Sequence, residues 1–298
     1  MWLPFFMIEK FLAYLQFEKN YSIHTVEAYR GDLENISIYL EKSFDCDLEM
    51  VSHHFLRSWM VDALESGSSP STIKRRVSAL KSFFKWRKKT YGVLSDPTAK
   101  LVLPKMPKRL PVFVEESALN TDRHKEIFDE SRDGIRDQAI VELFYNTGIR
   151  SAELIGLKIN TVDFEQGAIK VMGKRNKERI VPVGLPMIAA LRSYLQVRFD
   201  LQSIQDTDYF FLTQRGKKLY PKLVYRIVND YLSKVSSISK KSPHVLRHTF
   251  ATHMLNKGAD INAIKELLGH SSLAATQVYT HNSVEQLIKV YRSSHPKS

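Results

Sequence analysis

Apolar residues along the first ninety positions recur at steps of three and four, the spacing that builds one face of an α-helix. Val26, Tyr29, Leu33, Ile36 and Leu40 form such a stripe behind Ser22, which is placed to cap it. Phe55, Trp59 and Ala63 form a second, beside Leu56, Met60 and Leu64 and behind Ser52. Gly67-Ser68-Ser69-Pro70 reads as a turn. A helix starting at Ser71 then buries Ile73, Val77, Leu80 and Phe84. With one earlier helix, residues 1–90 read as a four-helix domain. Pro97, Pro104, Pro107 and Pro111 follow within a short stretch, so residues 91–110 are expected to form an extended, basic linker. Past it, residues 133–147 give a helix burying Ile140, Leu143 and Phe144, stopped by Gly148. The period then changes. Val162–Phe164, Ala168–Met172 and Arg179–Val183 have strand composition; the Gln166-Gly167 turn and the Gly173–Lys177 loop join them into a three-stranded antiparallel sheet. Helices resume at 186–200, 221–236, 243–257 and 260–268. The expected fold is mainly α with a small antiparallel β-sheet: a helical domain at 1–90 and a mixed α/β domain at 111–298.

Charge sharpens this picture. The 298 residues carry 44 Lys and Arg against 32 Asp and Glu, a net charge of +12, which favours an anionic partner such as nucleic acid. Basic residues concentrate on the fourth helix, where Lys74 to Lys89 holds eight of them and no acidic residue. A solvated face is one reading. Phosphate contact is the favoured one, because unopposed charge of this density repels itself. Lys74, Arg75, Arg76, Lys81, Lys85 and Arg87 are therefore candidate DNA-binding residues. One cysteine, Cys46, excludes an internal disulfide framework and Cys-rich zinc sites. Asp45 and Asp47 flank it and would raise its pKa, so it is not read as a nucleophile. The apolar start meets Glu9 and Lys10 without a basic leader or cleavage site, and no apolar run reaches the ~18 residues of a membrane span. A soluble, cytoplasmic protein is expected.

Two apparent motifs fail on inspection. His244 and His248 have zinc-helix spacing, but Val245 stands where a metalloprotease needs Glu, and Arg247 between them would repel a cation. Gly167 to Lys174 lacks the spacing, the following hydroxyl and the helix of a phosphate-binding loop. No metal and no cofactor are expected.

Other residues remain. Arg150 follows Gly148 at the start of a helix; alone, pairing with Glu153 explains it. His244 and Arg247 share the first turns of a helix that Ser242 and Pro243 are suited to begin. Such a helix start can hold a phosphate or simply lie at the surface. His270 follows Gly269 at a helix end, and Tyr279, beside Val278, is by itself ordinary.

Taken in order, Arg150, Lys174, His244, Arg247, His270 and Tyr279 resemble the tyrosine recombinase (phage integrase) family. The likeness rests on Thr147-Gly-Ile-Arg-Ser-Ala-Glu-Leu154, Met172-Gly-Lys-Arg-Asn-Lys-Glu-Arg179, His244-Val-Leu-Arg-His-Thr-Phe-Ala-Thr-His253, Leu267-Leu-Gly-His-Ser271 and Tyr279-Thr-His281. Length and layout are most similar to the bacterial Xer recombinases (XerC/XerD type). Arg175 stands where the family more often has Gly.

The resemblance implies a two-domain DNA clamp, with a SAM-like core-binding domain and a catalytic domain that breaks and rejoins DNA. Arg150 and Arg247 would clamp the scissile phosphate, each a rigid, permanently charged fork. Lys174 would act as general acid on the departing 5′ oxygen. His244 and His270 would bind phosphate or assist proton transfer. Tyr279, rather than Tyr291, would form the 3′-phosphotyrosyl bond, conserving the linkage energy without ATP. A Holliday junction would follow.

The implied partners are duplex DNA with a specific site, a homo- or hetero-tetramer of recombinases on two such sites, and a possible DNA translocase activator. Residues 282–295, with Val284, Leu287, Ile288 and Tyr291 on one stripe, would dock on a neighbouring protomer; packing on their own domain is the other reading. The implied role is chromosome dimer resolution at cell division. Alternatives are a mobile-element integrase or invertase, a type IB topoisomerase, and a DNA-binding protein without strand exchange.

Overall fold

A computed structural model describes residues 5–106, 112–119, 124–173, 177–201, 203–269, 290–291 and 293–296. Lys174, His270, Tyr279 and residues 282–289 lie outside them. The chain divides into two compact units, Met1–Arg109 and Leu110–Ser298.

The first unit packs α1 (Phe6–Ala13), extended by a π-helical turn over Tyr14–Glu18, with α2 (Ile23–Phe44), α3 (His53–Glu65) and α4 (Pro70–Tyr91). The expected caps of α2 and α3 are present: Ser22 Oγ accepts from Thr25 N and Ser52 Oγ from Phe55 N, both at 3.3 Å. The start of α4 differs from expectation. Ser69, from the expected turn, supplies the cap, accepting from Thr72 N at 3.2 Å, and Pro70 rather than Ser71 opens the helix. Proline's fixed φ suits the first helical position, where its missing N–H costs nothing. Leu33, Ile36, Leu40, Ile73, Val77, Leu80 and Phe84 form one core with Phe11, Phe83 and Trp86. Burial raises the pKa of the Cys46 thiol, and Asp47 and Asp45 add to the shift.

In the second unit, α5 (His124–Ile127) precedes α6 (Arg132–Thr147), which is buried without interruption from Ala139 to Thr147. It packs against α8 (Leu185–Phe199), α9 (Pro221–Val235) and α10 (Pro243–Asn256). A short α7 (Ser151–Ile155) leads to the sheet β1 (Val162–Asp163), β2 (Ala168–Met172) and β3 (Glu178–Pro182). The sheet is antiparallel in the order β1-β2-β3, with Ile169 opposite Val181 and Val171 opposite Arg179. After α10, α11 (Ile261–Leu268) ends at Gly269. Among the described residues no helix is long and apolar enough to cross a membrane.

The described end of the segment expected to dock on a neighbour packs on its own unit. Tyr291 is buried with Phe250, Met254, Leu267 and Leu268. Its ring stacks on His295 at 4.9 Å, and its hydroxyl reaches Asn146 Oδ1 at 3.4 Å. Tyr291 thus joins the apolar cluster formed by α10 and α11.

Candidate active site

Two glycines make the site possible. Gly148 ends α6 at φ +59°, where a Cβ would stand 2.6 Å from the Phe250 ring and 2.7 Å from Leu268. The chain turns there without a side chain and delivers Arg150 as the residue before α7. Gly269 ends α11 at φ +63°. Both are left-handed helix ends that favour glycine.

Three arginines converge on the end of α11. Its last carbonyls have no partner within the helix and carry the negative end of its dipole. Arg179, from β3, donates through Nε to Leu267 O at 2.9 Å. Arg247, from the first turns of α10, donates to Leu268 O at 2.6 Å and to Gly148 O at 2.5 Å. Arg150 donates to Gly269 O at 3.0 Å. Successive carbonyls of one chain segment thus each take a different guanidinium, and the next residue is His270.

Glu153, on α7, is a carboxylate paired with two of these arginines, Arg150 and Arg179. Its Oε1 accepts from Arg150 Nη1 at 2.8 Å and its Oε2 from the Arg150 backbone N–H at 2.8 Å. Arg179 binds the same two oxygens from the other side, at 2.7 and 2.8 Å. The pairing of Arg150 with Glu153 that the sequence suggests is therefore real, but it is shared with Arg179. Burial would raise the Glu153 pKa; the hydrogen bonds and charge of Arg179, then the hydrogen bonds from Arg150, outweigh it and hold the carboxyl below its usual value.

The electrostatics favour an anion. Burial, together with the charge of Arg150, pushes Arg247 down to about 10. His244 lies exposed one turn earlier on α10. Crowding by the protein around its ring, then Arg247, His248, Lys240 and Arg150, holds its pKa below the usual histidine value. Cations packed this closely are relieved by a bound phosphate.

Of the six expected catalytic residues, the structure brings Arg150, His244 and Arg247 together. Lys174, His270 and Tyr279 lie outside the described residues, yet the neighbours of two of them are held here. Gly173, next to Lys174, has its N–H on Lys177 O at 2.8 Å. A Cβ on Gly173 would sit 3.7 Å from Arg179 Nη1 and 3.8 Å from Glu153 Oε1. Tyr291, the competing tyrosine, is buried, and burial raises its pKa. Ser242 occupies the cap position of α10 but makes no side-chain cap bond, contrary to expectation.

Sequence reasoning missed the sharing of Glu153 and gave Arg179, which closes the Met172–Arg179 motif, no role in the site. A signal for Arg179 was present. Strand alternation places Arg179 on the same face as Val181 and Val183, which are buried, so this charge had to point inward.

On α4 the placement is mixed. Lys74, Lys81 and Lys85 are exposed along one stripe. Arg75 and Arg76 are not unopposed, because buried Asp32 of α2 pairs with both. Arg87 departs from the exposed face. It is 8% exposed, donates to Glu49 O at 2.9 Å and lies over the rings of Phe83 and Phe84. Its position falls on the core side of the helix, so it serves the fold of the first unit.

Comparison with known proteins agrees with this geometry. Residues 117–286 match the phage integrase family, and residues 8–90 match the phage integrase N-terminal SAM-like domain. The chain is 39% identical to tyrosine recombinase XerC of Chlorobaculum parvum, covering 97% of this chain and 94% of that one. It is 37% identical to tyrosine recombinase XerC of Bacillus subtilis, covering 98% and 96%. Among solved structures, the XerH site-specific recombinase bound to palindromic difH substrate superposes with a TM-score of 0.73 at 22% identity, covering 96% and 94%. The Tn1549 transposon integrase in complex with transposon right end DNA gives 0.70 at 20%, covering 94% and 99%. These two likenesses are of fold.

Proposed function

The chain belongs to the phage integrase family, the tyrosine recombinases, and from that premise we propose that it is a site-specific recombinase of the Xer group that cuts and rejoins duplex DNA in the cytoplasm. The observation that carries the reading is the convergence of Arg150 and Arg247 on adjacent carbonyls, Gly269 and Leu268, at the residue preceding His270. Two forks of permanent charge at one point suit the non-bridging oxygens of a phosphodiester as phosphorus becomes five-coordinate.

In this reading Tyr279 Oη gives its proton to a site histidine, attacks phosphorus and forms a 3′-phosphotyrosyl ester, while the 5′ oxygen leaves with a proton from Lys174. A 5′-hydroxyl from a second duplex reverses the step and creates the junction. His244, whose pKa is held below the usual value by crowding around its ring and then by its cationic neighbours, donates a hydrogen bond to the phosphate, and His270 serves beside it. Lys74, Lys81 and Lys85 contact the DNA backbone. The working assembly is a tetramer of recombinases on two sites, a second recombinase or a DNA translocase being possible partners, and the biological role is chromosome dimer resolution at cell division. The match of the SAM-like domain and the span of the XerC relatives over the whole chain support this over a type IB topoisomerase or a DNA-binding protein without catalysis.

The test begins by selecting the cognate site from random duplexes. A nicked substrate bearing that site then traps cleavage, and a plasmid carrying two copies reports exchange. The expected result is a covalent adduct together with exchange between the copies. Relaxation of supercoils without exchange, or no adduct on the selected site, overturns the reading.

A further inference from the structure

Arg179 reaches the segments that border or carry three of the proposed catalytic residues. Its two terminal nitrogens hold both oxygens of Glu153, the partner of Arg150. Its Nε holds Leu267 O, and its guanidinium lies against Gly269, which precedes His270. Gly173, which precedes Lys174, borders the same guanidinium. Yet Arg179 Nε and both terminal nitrogens are already held, by Leu267 O and the two Glu153 oxygens, so it is not itself a ligand for DNA.

Resting on the recombinase reading above, we propose that Arg179 is a positioning residue for strand cleavage, keeping the Arg150 charge available to the scissile phosphate by holding Glu153 away from full pairing with it. Each Glu153 oxygen is shared: Oε1 between Arg179 Nη1 and Arg150 Nη1, Oε2 between Arg179 Nη2 and the Arg150 backbone N–H. Two guanidiniums on one carboxylate leave one positive charge unneutralised. Without Arg179 the carboxylate is free to turn and take both bonds from the Arg150 guanidinium, giving a neutral pair where the phosphate needs a cation. The bidentate grip is what stops that rotation, and a lysine, with a single ammonium, cannot reproduce it.

The experiment compares the full-length parent with Arg179→Met and Arg179→Lys. Readouts are affinity for the selected site, single-turnover cleavage of the nicked substrate, and cleavage of the same substrate with a neutral methylphosphonate at the scissile position. Affinity is expected to stay within about twofold, while cleavage falls roughly 10–100-fold for Arg179→Met and less for Arg179→Lys, because misplacement of a catalytic group by about 1 Å has costs of this order. The deficit is expected to shrink to within about threefold on the methylphosphonate, and again in an Arg150→Ala background, because the residue acts through Arg150 on a phosphate charge. A merely structural role would leave the same deficit on both substrates and in both backgrounds, and that result overturns the proposal. So does cleavage within about twofold of the parent by both variants. Where Arg179→Met does not fold, Arg179→Lys, which keeps the buried charge opposite Glu153, carries the comparison. Failure of the parent itself to form an adduct defeats the recombinase reading, and this role with it, whereas an active parent with unaffected variants defeats this role alone.

Discussion

Arg179 lies so close to Gly269 that a Cβ at position 269 would stand 3.1 Å from a guanidinium nitrogen and 3.2 Å from the central carbon. Position 269 also has φ +63°, a conformation that costs an L side chain about 1 kcal/mol. Gly269→Ala is therefore expected to displace Arg179 as well as strain the helix end. In single-turnover assays on a nicked substrate its cleavage should fall about tenfold or more, with DNA affinity unchanged. Cleavage at the parental rate would mean that this close approach does not matter to catalysis.

The α4 basic residues divide into two groups by placement. Lys81 and Lys85 are exposed, whereas Arg87 is buried on Glu49. Replacing Lys81 or Lys85 with Ala is expected to weaken binding to all duplexes and to reduce the slope of log affinity against log salt by about 0.9 for each phosphate left without its cation. Arg87→Gln is expected to leave that slope unchanged and to lower the melting temperature of the first unit instead. A changed salt slope for Arg87→Gln would return it to the DNA-binding face.

Much of this was legible in the sequence because apolar periodicity and glycine stops are local signals. The α2 and α3 stripes, the end of α6 at Gly148 and the three strands follow from them. What escaped has long-range causes. Asp32 pairs with Arg75 and Arg76 from another helix and offsets one of their two charges, so a basic run on α4 looked more unopposed than it is. Arg87 sits on the core side, where its stem covers Phe83 and Phe84. Arg179 read as an ordinary strand residue, and its partner Glu153 lies 26 positions earlier. The cluster of Arg150, Arg247 and His244 was recognisable through the family's motifs. Its shared carboxylate was not, because only the fold shows that two arginines divide it.

His253 gives the protein a pH dependence that does not involve DNA. It is buried and hydrogen-bonded to the Tyr145 hydroxyl at 2.9 Å. Burial holds its pKa below the ordinary 6.5, although Glu116 and Glu115 pull the other way. Well above pH 6.5 the ring is neutral both folded and unfolded and contributes no pH dependence. Below it the unfolded chain takes up the proton first, so stability falls until the folded pKa is reached. The loss is at most about 1.4 kcal/mol per pH unit for this proton. Melts of the parent and His253→Gln from about pH 8 to about 5.5 test this: the variant should lose less stability over the acid part of the range. A parallel or steeper decline in the variant contradicts the assignment.

The central claim is covalent chemistry at Tyr279, and one measurement tests it most directly. The full-length protein is incubated with a nicked substrate carrying its selected site, denatured, digested with protease, and the DNA-linked peptide is sequenced by mass spectrometry, with Tyr279→Phe in parallel. The account predicts an adduct through a 3′ phosphate on the peptide containing Tyr279, and none with the variant. An adduct that persists in Tyr279→Phe, or one that maps to Tyr291, contradicts it.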